Sequence, residues 1–164
     1  MDSIDKFNKL SKAEFISIFV NIFEKTEWVA EKCYESKPYN NLDELVSKMM
    51  KIFENIERER LLEILNSHPD LAVAKKLTED SKNEQKNASL NQCTDQELME
   101  FNELNKKYKK KFSFPFIIAV KGKNKEEILN IFRQRIANNI NLEFEEAKKQ
   151  VKKIASFRLN EIIK

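Results

Sequence analysis

The chain has 164 residues, enough for one domain that buries roughly two-thirds of its unfolded surface without help from a disulfide or a metal. Hydrophobic residues at 41% and charged residues at 35% exclude a disordered chain, and one glycine with three prolines leaves too few turn-formers for an all-β fold. The net charge of +3 is the remainder of 30 basic and 27 acidic side chains that alternate along the chain, a pattern of solvated helical faces rather than of a nucleic-acid groove.

Helix starts recur in capping-box form, Ser or Thr followed three residues later by Glu. Ser11 with Glu14 opens an apolar-periodic segment containing Phe15, Ile18, Phe19, Ile22 and Phe23. Trp28 and Val29 belong to a second short helix that should end near Pro38. Asn41 or Asp43 opens the next, with Leu45, Met49 and Phe53 on one face at i, i+4 spacing. Leu61, Leu62, Ile64 and Leu65 carry a further helix to His68, where Pro69 disfavours continuation. Ser81 with Glu84 could start another, and Thr94 with Glu97 starts one that sets Leu98, Phe101, Leu104, Tyr108 and Phe112 on or near its inner side. The run Phe114-Pro115-Phe116-Ile117-Ile118-Ala119-Val120 is unbroken in its apolar character, short, and begins around a proline, which reads as a buried extended segment. After Gly122, Asn124 caps a helix carrying Ile128, Ile131, Phe132 and Ile136. The last helix runs from about Leu142 to the end and uses Ala147, Val151, Ile154 and Ile162. The expectation is all-α: a single domain over residues 1–164, a helical bundle of about seven to eight helices with one buried extended loop at residues 114–120.

Cys33 and Cys93 lie far apart with no partners at ligand spacing, and a lone histidine removes most zinc sites, so no metal site is expected. No apolar run approaches the roughly 20 residues a membrane span needs. Asp2 and Asp5 interrupt any signal-peptide pattern, and the closing Ile162-Ile163-Lys164 is no peroxisomal address. A cytoplasmic location with both thiols free is the expectation. The densest basic patch, Lys106, Lys107, Lys109, Lys110 and Lys111, falls near a helix C-terminus, where cations complement the dipole.

Polar residues on apolar faces mark three places where function is expected. His68 continues the buried stripe of its helix at i+7 from Leu61, either as a core histidine bonded to a carbonyl or as a proton-transfer group. Ser81, Gln85 and Ala88 share one side of a helix with Glu84 beside them, while Lys82, Asn83, Lys86 and Asn87 take the other. That small polar cluster faces inward, or else Ser81 and Glu84 merely form a capping box and Gln85 is surface. Arg158 occupies the i+4 position after Ile154 on a core stripe, so its guanidinium needs an anionic or carbonyl partner: a structural ion pair, or a ligand carboxylate.

Several stretches together are similar to one family. They are Trp28-Val29-Ala30-Glu31, Asn66-Ser67-His68-Pro69-Asp70-Leu71-Ala72, Leu77-Thr78-Glu79-Asp80-Ser81-Lys82-Asn83-Glu84-Gln85, Asn105-Lys106-Lys107-Tyr108, Lys111-Phe112-Ser113-Phe114-Pro115-Phe116-Ile117 and Arg158-Leu159. In order and spacing the chain resembles the OHCU decarboxylases, which act on 2-oxo-4-hydroxy-4-carboxy-5-ureidoimidazoline, across nearly its whole length.

The resemblance implies an α-helical, cofactor-independent enzyme, usually a homodimer, that yields (S)-allantoin and CO2 in urate degradation. It implies a catalytic role for His68, with Glu84 and Arg158 as the acidic and basic residues beside it. Pro69, Ser81, Glu84, Gln85, Phe116, Ile117, Ile118, Ala119, Val120 and Arg158 match its substrate-contacting positions. The chain departs from the family in a shorter stretch between Leu71 and Leu77, and in Ser89 and Ser113 where relatives often carry glycine. The alternative is a non-enzymatic helical protein-interaction module that uses the lysine-rich faces and keeps His68 and Arg158 as structural groups, since a fold does not determine a function. Nucleic-acid binding through residues 106–111 would require strongly salt-dependent affinity.

Overall fold

A computed structural model describes residues 3–72 and 79–163, and the described residues form α-helices, one 3-10 turn and no strand. The shortened stretch between Leu71 and Leu77 lies largely outside the described residues. Two compact units arise, one from residues up to Ile64 together with those from Ile154, the other from Leu65–Lys153.

In the first unit, α1 (Ser3–Asn8), a helix that the apolar periodicity did not announce, precedes α2 (Lys12–Phe19). The capping box of α2 is formed: Ser11 N donates to Glu14 Oε2 at 2.8 Å and Glu14 N to Ser11 Oγ at 3.3 Å. The Ser11 N–H, and then the Ser11 hydroxyl at 2.9 Å, donate to the Glu14 carboxyl and hold it below its usual range. The helix stops at Phe19, short of the expected Ile22 and Phe23, which are buried in the turn that follows. That turn reverses through Glu24 and Lys25, both in the left-handed region with φ of 61° and 55°. It closes with Thr26 N donating to Val20 O at 2.9 Å. Next come α3 (Glu27–Glu35), which ends ahead of Pro38, and α4 (Leu42–Glu54). Of its two candidate caps Asn41 is the one used, accepting from Glu44 N at 2.8 Å. Leu45, Met49 and Phe53 of α4 are fully buried, each contributing about 1.5–3 kcal/mol of apolar transfer. Phe53 stacks on Phe23 at 4.7 Å. Cys33 and Cys93 are both free, and burial pushes the Cys33 thiol up to about 12, which leaves it unreactive at neutral pH.

α5 (Arg58–Ser67) and α9 (Ile140–Ile163) contribute residues to both units. The second unit adds α6 (Glu79–Asn87), a 3-10 turn at Leu90–Gln92, α7 (Asp95–Phe112) and α8 (Lys125–Arg135). The boxes Thr94 with Glu97 and Asn124 with Glu127 are both formed. Ser81 with Glu84 does not open its helix: Ser81 lies within α6, which already includes Glu79 and Asp80, and is buried. On α7, Phe101, Tyr108 and Phe112 face the core, but Leu98 is 37% exposed, because it sits in the first turn beyond the reach of the core. Three of the lysines near its end are engaged locally: Lys107 with Glu103, Lys109 with Asp70 and Lys111 with the Ile136 carbonyl. No helix among the described residues is long and apolar enough to cross a membrane. Residues 114–120 are buried throughout and neither helical nor paired as strand, as the apolar run indicated.

Ser89 and Ser113 both adopt the left-handed region, with φ of 63° and 66°. Ser113 closes α7 there, its N–H bonded to the Lys109 carbonyl at 2.9 Å. A side chain in this conformation carries a steric cost that glycine avoids. Ser113→Gly is therefore expected to raise the unfolding free energy by about 0.5–1 kcal/mol in urea titration. A loss of stability would mean that the serine hydroxyl outweighs the strain.

Candidate active site

His68 follows the last turn of α5, with its N–H donating to the Leu65 carbonyl at 3.3 Å. The side chain is buried at 7% exposure, and Nε2 is shielded from solvent. Pro69 ends the helix, and the main chain beyond it is gripped by side chains from two helices. Gln85 of α6 donates from Nε2 to the Asp70 carbonyl at 3.2 Å and accepts at Oε1 from Ala72 N at 3.1 Å. Asn105 of α7 donates from Nδ2 to the Leu71 carbonyl at 3.1 Å, and Lys109 pairs with Asp70 at 2.7 Å.

The two faces of α6 separate as its sequence indicated. Ser81, Gln85 and Ala88 are buried, Glu84 stands at the border, and Lys82, Asn83, Lys86 and Asn87 are exposed. Gln85, read as a ligand-binding amide or plain surface, binds main chain at both ends of its carboxamide.

The segment with Phe116, Ile117, Ile118, Ala119 and Val120 is buried without a partner strand, so its polar backbone atoms require side chains. Gln150 of α9 accepts from Ala119 N at 2.9 Å, and Arg135 of α8 donates from Nη1 to the Ile117 carbonyl at 2.7 Å. Phe116 stacks on Phe132 at 3.8 Å, and the Arg135 guanidinium covers Phe116 at 4.5 Å from its centroid. Arg135 is itself paired with Glu143, from Nη2 to Oε2 at 2.9 Å and from Nε to both carboxylate oxygens. Tyr108 and Asn138 also donate to Glu143, which is fully buried. Burial, and then the bond to Glu143, push the Tyr108 phenol far above its ordinary value, so it remains a donor.

Arg158 belongs to the first unit. Its Nη1 donates to Glu24 Oε2 at 2.8 Å and to the Asn21 carbonyl at 2.6 Å, with both charged side chains buried. The ion-pair partner required by its place on a core stripe is thus Glu24, supplied by the left-handed turn after α2.

Arg135, Glu143, Asn105 and Gln150 were missed from the sequence. The signal that flagged Arg158 was present for all four: Arg135 lies at i+3 from Phe132, Glu143 at i−4 from Ala147, Asn105 at i+4 from Phe101 and Gln150 at i+3 from Ala147, each on a buried stripe.

On fold and site, then, the molecule is an all-helical protein with a buried imidazole at a proline-terminated helix end and a dry, side-chain-braced segment. The OHCU decarboxylase family model matches residues 8–160. A uric acid degradation bifunctional protein of Bacillus sp. (strain TB-90) is 40% identical over 164 residues, which is all of this chain and 33% of that protein. The 2-oxo-4-hydroxy-4-carboxy-5-ureidoimidazoline decarboxylase of Haloferax volcanii is 35% identical over 97% of this chain and 95% of its own length. Among solved structures, a crystal structure of (S)-allantoin synthase gives a TM-score of 0.79 at 28% identity, covering all of this chain and 54% of that one. A crystal structure of OHCU decarboxylase in the presence of (S)-allantoin gives 0.75 at 25% identity, covering 89% and 97%. The chain belongs to the OHCU decarboxylase family, and it spans a third of the bifunctional relatives and nearly all of the stand-alone one.

Removing one member of a buried ion pair leaves the other charge uncompensated. Glu143→Ala is expected to lower stability by about 3–5 kcal/mol in urea titration. Tyr108→Phe, which loses one bond to that carboxylate, should cost about 1.5–3 kcal/mol. A Glu143→Ala protein as stable as the parent would show that Arg135 finds another anion.

Proposed function

We propose that the chain is a cofactor-independent carboxy-lyase that converts OHCU to (S)-allantoin and CO2 in urate degradation. The observation that carries this reading is the match over nearly all of both chains with a stand-alone decarboxylase. It is supported by the buried, solvent-shielded imidazole in the His-Pro position the resemblance marks. Residues 1–164 are read as one decarboxylase domain, homodimeric and cytoplasmic.

The reaction needs no external electron sink. When the bond to the carboxylate breaks, its electron pair moves into the adjacent imine, and a proton then adds to one face of the resulting intermediate. His68 transfers that proton, and Glu84 orients the imidazole or tunes its basicity. Ser81 and Gln85 hydrogen-bond the ureido and ring heteroatoms. A carboxamide has two N–H groups and two lone pairs on its oxygen, so the main-chain bonds of Gln85 leave capacity at each end for a ligand. Pro69 and the wall of Phe116, Ile117, Ile118, Ala119 and Val120 keep water out, which strengthens each charge interaction. Arg158 holds an anionic oxygen, with Glu24 fixing its orientation.

Two substitutions test this. His68→Asn should lower the enantiospecific formation of (S)-allantoin from freshly generated substrate by about 10²–10⁴-fold while the protein unfolds near the parent temperature. A folded His68→Asn protein with undiminished rate removes the imidazole from proton transfer. Arg158→Lys keeps the charge and loses the planar fork, so binding or turnover should weaken by about 1.5–3 kcal/mol. Full activity in Arg158→Lys, with unfolding of Arg158→Ala, would reduce Arg158 to the partner of Glu24.

A further inference from the structure

The main chain that follows His68 is anchored along one face of α7. Asn105, buried at 5% exposure, reaches the Leu71 carbonyl, and one turn later Lys109 reaches the Asp70 carboxylate. Asn105 sits on the stripe of Phe101, Tyr108 and Phe112, where leucine would serve both helix propensity and core packing better. A carboxamide buried there is costly unless it is bonded, and its bond goes to a loop 34 residues earlier in the chain. Gln85 holds the same short stretch from α6, so residues 70–72 are fixed by three side chains at successive positions.

We propose that Asn105 and Lys109 are positioning residues for His68. Between the anchored stretch and the imidazole lies only Pro69, whose ring fixes φ and restricts the residue before it. A shift of residues 70–72 is therefore passed to His68 rather than absorbed. Proton transfer tolerates little displacement: a misplacement of about 1 Å costs about 10²-fold in rate. The kinetic part of this assignment rests on the decarboxylase reading above, in which His68 moves the proton. The anchoring does not, and it is measurable without substrate.

His68 is the only histidine in the sequence, so its imidazole gives a single Cε1–H signal that needs no residue assignment. Asn105→Leu removes the donor and keeps an apolar, helix-compatible side chain. Lys109→Met removes the partner of Asp70 at a half-exposed position and leaves folding safe. Lys107→Met, which loses only the exposed pair with Glu103 on the same helix, is the control. Both test variants are expected to shift the imidazole signal in the free protein, while the control leaves it in place. Asn105→Leu should lower kcat about 10- to 10²-fold, with a smaller change in KM. Lys109→Met should lower kcat about two- to fivefold, the size expected of a partly exposed ion pair. A folded Asn105→Leu protein with the parent's imidazole signal and kcat overturns the proposal. If Asn105→Leu does not fold, an unmoved signal in Lys109→Met overturns it. An imidazole that moves in both variants while His68→Asn keeps its full rate overturns the catalytic role of His68 and leaves the anchoring standing.

Discussion

The second unit depends on the buried pair of Arg135 and Glu143. A segment of seven residues, 114–120, runs through the core with neither helix nor sheet to satisfy its backbone. Buried carbonyls and amides left without partners are costly, so side chains must come to them. Arg135 answers the Ile117 carbonyl, but a guanidinium brought into the core requires an anion, and Glu143 supplies it. That carboxylate in turn collects Tyr108 from α7 and Asn138 from the loop before α9. One backbone requirement thus recruits three helices and determines where Phe116 stacks against Phe132.

The same logic runs at smaller scale around His68. Proline ends α5 and leaves a short main-chain stretch whose amide and carbonyl groups must be met. Gln85 and Asn105 meet them from α6 and α7, as Gln150 meets Ala119 from α9. Polar side chains in this unit act first on backbone, and the chemistry proposed for His68 would rest on the rigidity they create. An imidazole shielded from water beside such a frame suits proton delivery to a single face of an intermediate, because each charge interaction gains where water is excluded.

Arg158 carries a different lesson. Its burial is accounted for by Glu24 and the Asn21 carbonyl, both in a turn where two non-glycine residues hold positive φ. A turn in that conformation persists only when its surroundings hold it, and the ion pair is part of what does so. The guanidinium proposed to hold an anionic oxygen is thus also one on which the fold calls.

The helical class, two formed capping boxes, the Asn124 cap, Asn41 as one of two candidate caps, the buried stripe of α4, the segregation of polar and lysine-bearing sides on α6 and the dry run at residues 114–120 were legible in the sequence. These features are local: a cap bonds three residues along, and a stripe repeats within a few turns. The early end of α2, the exposure of Leu98 and the partners of Arg158, Arg135, Gln85 and Asn105 were decided by tertiary structure. Amphipathic periodicity says that a position faces inward, but not what it meets there. Glu24 lies 134 residues from Arg158, and Leu71 lies 34 from Asn105. The sequence could name the polar residues that needed partners, and only the folded chain could bring the partners to them.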